Sequence, residues 1–382
     1  MKLLPLFDNL THRDTNLHNV KLPAKRFLND FTICHKFLCC YAGSEGTYNA
    51  YRRETERLLQ WAWHIKNMTL KDIKREHIEE FIRFCQLPPD DWKSSYKVPR
   101  YLVINNQRVP NPVWRPFAGE DSTLSKASVA HIFTILSTLF NFLVCEEYLF
   151  SNPVQQIRQK SQFIQKGQEY QAIRRLSKKQ WDVVEMVAIT MADLNIEHER
   201  TLFMLKLLYG LYLRVSELTA RPKWTPKMRD FFQDQHGRWW FEVLGKGNKV
   251  RTIAVNSYVL TALKRYRRSM GLPELPNPNE TIPLFPRHKG DGAMSNTASI
   301  RRIIQKCFDE AQNVLIANGH EDEAENLQYA TVHWLRHTGI SDAVRYRPRE
   351  HVRDDAGHSS SAITDRYIDV ELSERHKSAQ FI

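Results

Sequence analysis

Long hydrophobic runs are scarce in this 382-residue sequence. The longest apolar stretch, Leu202 to Leu213, is broken by Lys206 and falls short of the roughly 20 residues a membrane span needs, so no segment is expected to cross a bilayer. Met1 to Asn19 interrupts its Leu and Phe residues with Asp8 and Asp14 and lacks the apolar centre of a secretory signal; a cytoplasmic location is the expectation. Cysteine is sparse as well. The six residues Cys34, Cys39, Cys40, Cys85, Cys145 and Cys307 form no C-x-x-C or zinc spacing, so they read as reduced core residues rather than metal ligands or a thiol nucleophile. No internal repeat and no low-complexity tract is present.

What the sequence does have is length for two domains and a formal net charge of +12, which points to a polyanionic partner, either nucleic acid or an anionic surface. Residues 1–160 read as a helical domain. Apolar residues recur at helical spacing over Ala24–Tyr41, Thr47–Lys66, Arg75–Cys85 and Ser125–Tyr148. Leu87–Glu120 interrupts this pattern, because Pro88, Pro89, Pro99, Pro110, Pro112 and Pro116 forbid a continuous helix. Within it, Tyr101–Ile104 and Gln107–Val109 flank Asn105-Asn106 as a candidate hairpin. With Trp92, Trp114, Arg100, Arg108 and Arg115, this insertion reads either as a nucleic-acid contact or as a surface excursion packed by its own aromatics.

The segment 161–175 is a basic linker. Arg158, Lys160, Lys166, Arg174 and Arg175, set against the single acid Glu169, suit tracking along a phosphate backbone; the alternative is a merely solvated run. Residues 176–382 form the second domain, mainly α with a small β-sheet. Helices are expected over Leu176–Thr190, Glu199–Thr219, Ser299–Ala317 and Ala330–Val344. Strands Trp239–Val243 and Val250–Val255 are joined by Gly245-Lys246-Gly247-Asn248-Lys249, whose Gly and Asn residues suit a hairpin turn.

Several residues carry candidate chemistry. Arg214 breaks an apolar pattern, and Glu217 three residues on would pair with it on one helical face; alone, that reads as structural. His333 and Arg336 stand at i and i+3 on a helix. His333 and His337 have the spacing of a zinc-protease pair, but Trp334 stands where that chemistry needs Glu, so no metal is expected. Gly357-His358 precedes Tyr367 by nine residues, counted from His358.

Taken in order, Arg-x-x-Glu, a lysine on a β-turn, His-x-x-Arg-His, Gly-His and then Tyr resemble the tyrosine recombinases, including phage integrases and the Xer and Cre enzymes, over roughly Leu176 to Asp369. The resemblance implies a helical core-binding domain followed by a catalytic domain. It implies a DNA strand exchange running through a 3′-phosphotyrosine, with neither metal nor ATP nor any other cofactor. Arg214 and Arg336 would hold the scissile phosphate and Lys246 would protonate the leaving oxygen, with Lys249 as the fallback. His333 and His358 would complete the pocket, Glu217 would support it, and Tyr367 would attack. His337 reads as structural.

The implied partners are double-stranded DNA at specific sites, a homotetramer of this chain on two such sites, and accessory DNA-bending proteins; the implied location is the nucleoid. The tail 371–382, ending in Phe381 and Ile382, would dock on a neighbouring subunit. Met1–Pro23 is too short for the separate arm-binding domain that some phage integrases carry. Two other readings share these residues: a type IB topoisomerase, which relaxes DNA without exchanging partners, and a DNA-binding regulator without catalysis.

Overall fold

The computed structural model describes residues 3–14, 20–96, 98–118, 124–158, 174–222, 224–358, 360 and 364, with the backbone alone at 246. The chain divides into two compact units, Met1–Glu169 and Tyr170–Ile382. Most of the linker 161–175 and the whole tail 371–382 lie outside the described residues; so do Lys160, Lys166 and Tyr367. Arg158 and Arg174 are exposed and Arg175 is half-buried.

The first unit is built on α1 (Leu28–Cys39), α2 (Glu45–Trp61), α3 (Arg75–Gln86) and α4 (Lys126–Cys145). Ser44 and Ser125 begin α2 and α4, their hydroxyls accepting from the N–H groups of Thr47 and Ser128 and satisfying amides that a helix start leaves open. By length and composition α4 could cross a membrane, contrary to the sequence expectation, because the Ser, Thr and Asn on its far side barely lower its mean hydropathy. It serves instead as a core helix, burying Val129, Ile132, Leu136, Leu139 and Leu143 in one core with Phe37, Leu58 and Phe81. All six cysteines are free thiols. Cys34, Cys85 and Cys307 are core residues as expected, whereas Cys40 and Cys145 are exposed.

The proline-rich insertion folds on itself. Short strands β1 (Lys93–Ser94) and β4 (Phe117–Ala118) pair in parallel, and between them β2 (Tyr101–Ile104) and β3 (Gln107–Pro110) form an antiparallel hairpin. Asn105 and Asn106 turn it with φ of 49° and 59°, the left-handed pair that a tight hairpin requires. Its arginines are committed inward: Arg108 grips Asp8 with two hydrogen bonds of 2.8 Å, and Arg100 donates to the Phe7 carbonyl at 3.1 Å and pairs with buried Glu56. Trp92 and Trp114 are buried, and Arg115 donates to the carbonyls of Pro112 and Trp114. Of the two readings of this insertion, the packed excursion is the one these contacts favour.

The second unit is mainly helical around a small sheet. Its helices are α5 (Lys178–Leu194), α6 (Glu199–Gly210), α7 (Ser257–Ser269), α8 (Thr297–Ala317), α9 (Glu321–Gln328), α10 (Val332–Ala343) and α11 (Arg349–Ala356). Strands β5 (Phe231–Gln233), β6 (Trp239–Leu244) and β7 (Val250–Ala254) make an antiparallel sheet with β6 in the middle. The turn between β6 and β7 is a 3-10 turn at Lys246–Asn248, with Gly247 and Asn248 at positive φ.

The apolar pattern predicts a helix from Glu199 to Thr219, but α6 stops at Gly210. Tyr212 adopts φ 53°, a left-handed conformation that no continuing helix tolerates, and Arg214 is extended at the head of a short 3-10 turn, Val215–Glu217. Arg214 and Glu217 therefore face each other across a capping turn, not along a helical face.

α6 and α10 approach so closely at Gly339 that a Cβ there would lie 2.0 Å from the Tyr209 carbonyl oxygen. Backbone cannot yield as a flexible side chain can. Gly339→Ala is expected to cost about 2–4 kcal/mol, read as a drop of several degrees in thermal melting. An unchanged melting temperature would mean the helices slide apart freely.

Candidate active site

Three consecutive carbonyls at the C-terminal end of α11 organise the site. The Asp355 carbonyl accepts from Arg251 Nε at 2.9 Å, Ala356 from Arg336 Nη2 at 2.7 Å, and Gly357 from Arg214 Nη2 at 3.1 Å. A helix ends with carbonyls unpaired and a partial negative charge, so cations gather there. Gly357, at φ 64°, supplies the left-handed cap that ends the helix and turns the chain to His358.

Each arginine arrives on a different element. Arg336 comes from the middle of α10, is 5% exposed, and also donates to the Tyr212 carbonyl. Arg214 stands on the turn after α6, and Arg251 on β7. Glu217 locks two of them. It is 1% exposed, and its carboxylate accepts from the Arg214 N–H at 2.8 Å, Arg214 Nη1 at 3.1 Å, and Arg251 Nη1 and Nη2 at 2.9 Å each. Burial alone would favour the neutral acid, but the two guanidiniums hold its pKa below the ordinary value, so it stays ionised.

The histidines lie in the field of these cations. His358 is half-buried and its Nδ1 lies 2.9 Å from the Thr364 hydroxyl, which fixes the ring. Burial, followed by the charges of Arg336 and Arg214, pushes its pKa down to about 4. His337 is likewise pushed down to about 4, chiefly by burial and then by Arg336. His333 is lowered by desolvation and by the guanidiniums of Arg301, Arg336 and Arg214.

All three rings are therefore neutral near pH 7, and a sign follows for stability. Unfolded histidine takes its proton near pH 6.5, before the folded chain does, so this contribution is complete above about pH 6.5 and is lost as pH falls toward 4. Asp230, raised to about 6 by burial, acts in the opposite sense. The expected result is therefore a difference: His337→Gln and His358→Gln should each lose less melting temperature than wild type between pH 7 and 5. Parallel curves would contradict the assignment.

The fold thus brings together Arg214, Glu217, His333, Arg336 and His358. Lys246 sits in the β6–β7 turn by its backbone, and Tyr367 follows Thr364 by three residues, outside the described part. Sequence reasoning missed Arg251, Thr364 and the pair Arg347–Asp355, whose nitrogen and oxygen are 2.6 Å apart. Arg251 stands two residues beyond Lys249 on a strand already predicted, and an arginine following the turn was the available signal. Among the described residues, the grouping suited to a metal ion is Asp14, His35 and Cys39 in the first unit, and none of these belongs to the site.

Comparison with known proteins places the chain among relatives of one family. Residues 174–374 match the model of the phage integrase family. The tyrosine recombinase XerD of Rickettsia bellii is 25% identical over 284 residues, covering 72% of this chain and 83% of that one. The tyrosine recombinase XerC of Pelobacter propionicus is 28% identical over 169 residues, 44% of this chain and 47% of that one. Among solved structures, the XerH site-specific recombinase on a palindromic difH substrate, in its post-cleavage complex, superposes with a TM-score of 0.58 at 16% identity over 99% of both chains. The Tn1549 transposon integrase with a circular intermediate DNA gives 0.57 at 14% identity, over 91% of this chain and 98% of that one. At such identities the structural likeness speaks for the fold alone.

Proposed function

The chain belongs to the phage integrase family of tyrosine recombinases, and from that premise we propose that it exchanges DNA strands at specific sites by attack of Tyr367 on a phosphodiester gripped by Arg214 and Arg336. The observation that carries the reading is the convergence of these two guanidiniums, from separate elements, on adjacent carbonyls at the end of α11.

Phosphodiester substitution places extra negative charge on the non-bridging oxygens, and two fixed guanidiniums answer it without reorganising. They meet the charge that a metal ion would otherwise meet, so the reaction is expected to run in chelator. Tyrosine, with a phenol pKa near 10, attacks only if its proton is accepted; neutral His333 and His358 are placed by this reading to accept it. The departing 5′ oxygen is a strong base and needs a proton, for which Lys246 is the donor. The 3′-phosphotyrosine keeps the energy of the broken bond until another 5′-hydroxyl attacks, so no ATP enters.

The helical first unit, the basic segment 161–175 and the second unit would together hold duplex DNA. Four copies on two sites would carry out the exchange, with the tail 371–382 as the link between neighbours and DNA-bending proteins as helpers. The test uses duplex DNA selected by the protein from a random pool. Two copies of that sequence on one plasmid should recombine in EDTA with no nucleotide added. Relaxation of supercoils without recombinant product would indicate a topoisomerase, and binding with no cleavage a regulator; either outcome overturns the proposal.

A further inference from the structure

Arg251 does more than fill space beneath the site, and we propose that it is a positioning residue that sets the phosphate-binding posture of Arg214 by holding Glu217 and the end of α11 together. This rests on the recombinase reading above. Every nitrogen of the Arg251 guanidinium is engaged: Nη1 and Nη2 with the two oxygens of Glu217, and Nε with the Asp355 carbonyl. Two glycines make room for it. A Cβ at Gly357 would lie 3.0 Å from Arg251 Cδ, and one at Gly245 would lie 2.9 Å from Arg251 Nη1.

The guanidinium thus closes three segments on one another, namely the Arg214–Glu217 turn, the stem of the β6–β7 hairpin, and the cap of α11. Arg214 is bound to the same two partners, Glu217 and the α11 cap, through Glu217 Oε1 and the Gly357 carbonyl. Arg251 and Arg214 form two sides of one frame, and only Arg214 is the assigned phosphate ligand. Remove Arg251, and among the described residues the buried carboxylate keeps Arg214 as its sole cationic partner. Arg214 is then drawn toward Glu217, and its grip on phosphate weakens through a group that never touches DNA.

Among the described residues, the charged groups paired with Glu217 are Arg214 on its own turn and Arg251 on β7. The α11 cap beside them carries Asp355, whose carboxylate turns to Arg347, and the loop beyond carries His358, whose ring meets Thr364. With Arg251 gone, the buried Glu217 protonates more readily, so cleavage should acquire a loss toward low pH that wild type lacks.

The experiment measures single-turnover formation of the covalent complex on a nicked substrate built from the selected site, from pH 5.5 to 8, alongside the Kd from gel shifts. Arg251→Gln should cleave about 10²-fold more slowly with little change in Kd, and should decline further as pH falls. Arg251→Gln combined with Glu217→Gln should lack that extra decline, because no carboxylate remains to titrate. A 5′-bridging sulfur, which repairs a missing proton donor, should leave the Arg251→Gln defect in place. Arg251→Lys restores a charge but not the fork, and should fall between the two.

Cleavage by Arg251→Gln within twofold of wild type, or a slow variant whose pH profile parallels wild type, overturns the inference. If Arg251→Gln does not fold, Arg251→Lys carries the same pH comparison, with less extra decline expected. Failure of wild type itself to form a covalent complex sinks the recombinase reading instead, so the two failures are distinguishable.

Discussion

Arg336→Ala is expected to lose at least about 10³-fold in the rate of covalent complex formation, because in the proposed reaction it removes one of two guanidiniums facing the developing phosphate charge. It should also lose stability. Arg336 is 5% exposed and donates to the carbonyls of Tyr212 and Ala356, so its removal strands two acceptors at a cost of about 1–3 kcal/mol each. The two effects separate in Arg336→Lys, which returns a charge and one donor but not the planar fork. That variant should recover part of the melting temperature and little of the rate. Cleavage by the alanine variant within tenfold of wild type would remove Arg336 from the phosphate site.

Lys246→Ala is expected to cut an ordinary substrate about 10²-fold or more slowly, since in the proposed reaction the leaving oxygen would then depart unprotonated. A substrate with sulfur at the 5′-bridging position has a leaving group that needs no proton and should restore cleavage. The β6–β7 turn favours such a role, since Gly247 and Asn248 at positive φ make a tight turn whose residues 247–249 are exposed. Lys249 on the same turn provides the control. If sulfur rescues Lys249→Ala and not Lys246→Ala, the proton donor is Lys249.

How much of this was legible beforehand depends on the kind of signal. The helices of the first unit could be read because each buries a stripe at helical spacing, as α4 does with Val129, Ile132, Leu136 and Leu139. The β6–β7 hairpin could be read because strand alternation and turn chemistry agree at Gly245–Lys249. The end of α6 could not. Leu211, Tyr212 and Leu213 continue the apolar pattern, and the chain stops being helical there because tertiary packing holds Tyr212 in a left-handed conformation whose carbonyl receives Arg336. Nothing local in Leu-Tyr-Leu announces that.

The site shows the same division. Ordered motifs marked Arg214, Glu217, His333, Arg336 and His358, which lie up to 144 residues apart in sequence yet meet at the cap of α11. Arg251 escaped because a lone arginine on a strand reads as a solvated residue, and its engagement with Glu217 and Asp355 depends on contacts 34 and 104 residues away. The short elements β5, α9 and α11 escaped for a related reason. Eight residues or fewer give too little periodicity to stand out, and these elements are stabilised by their neighbours rather than by their own pattern.

The proposed reaction passes through a covalent bond between DNA and one tyrosine. The direct measurement is to trap the protein on a nicked substrate in EDTA without nucleotide, digest the complex, and locate the DNA-bearing peptide by mass spectrometry. The adduct should sit on Tyr367, and Tyr367→Phe should bind the same DNA with unchanged affinity while forming no covalent complex. An adduct on any other residue, or a covalent complex formed by the phenylalanine variant, would contradict the account.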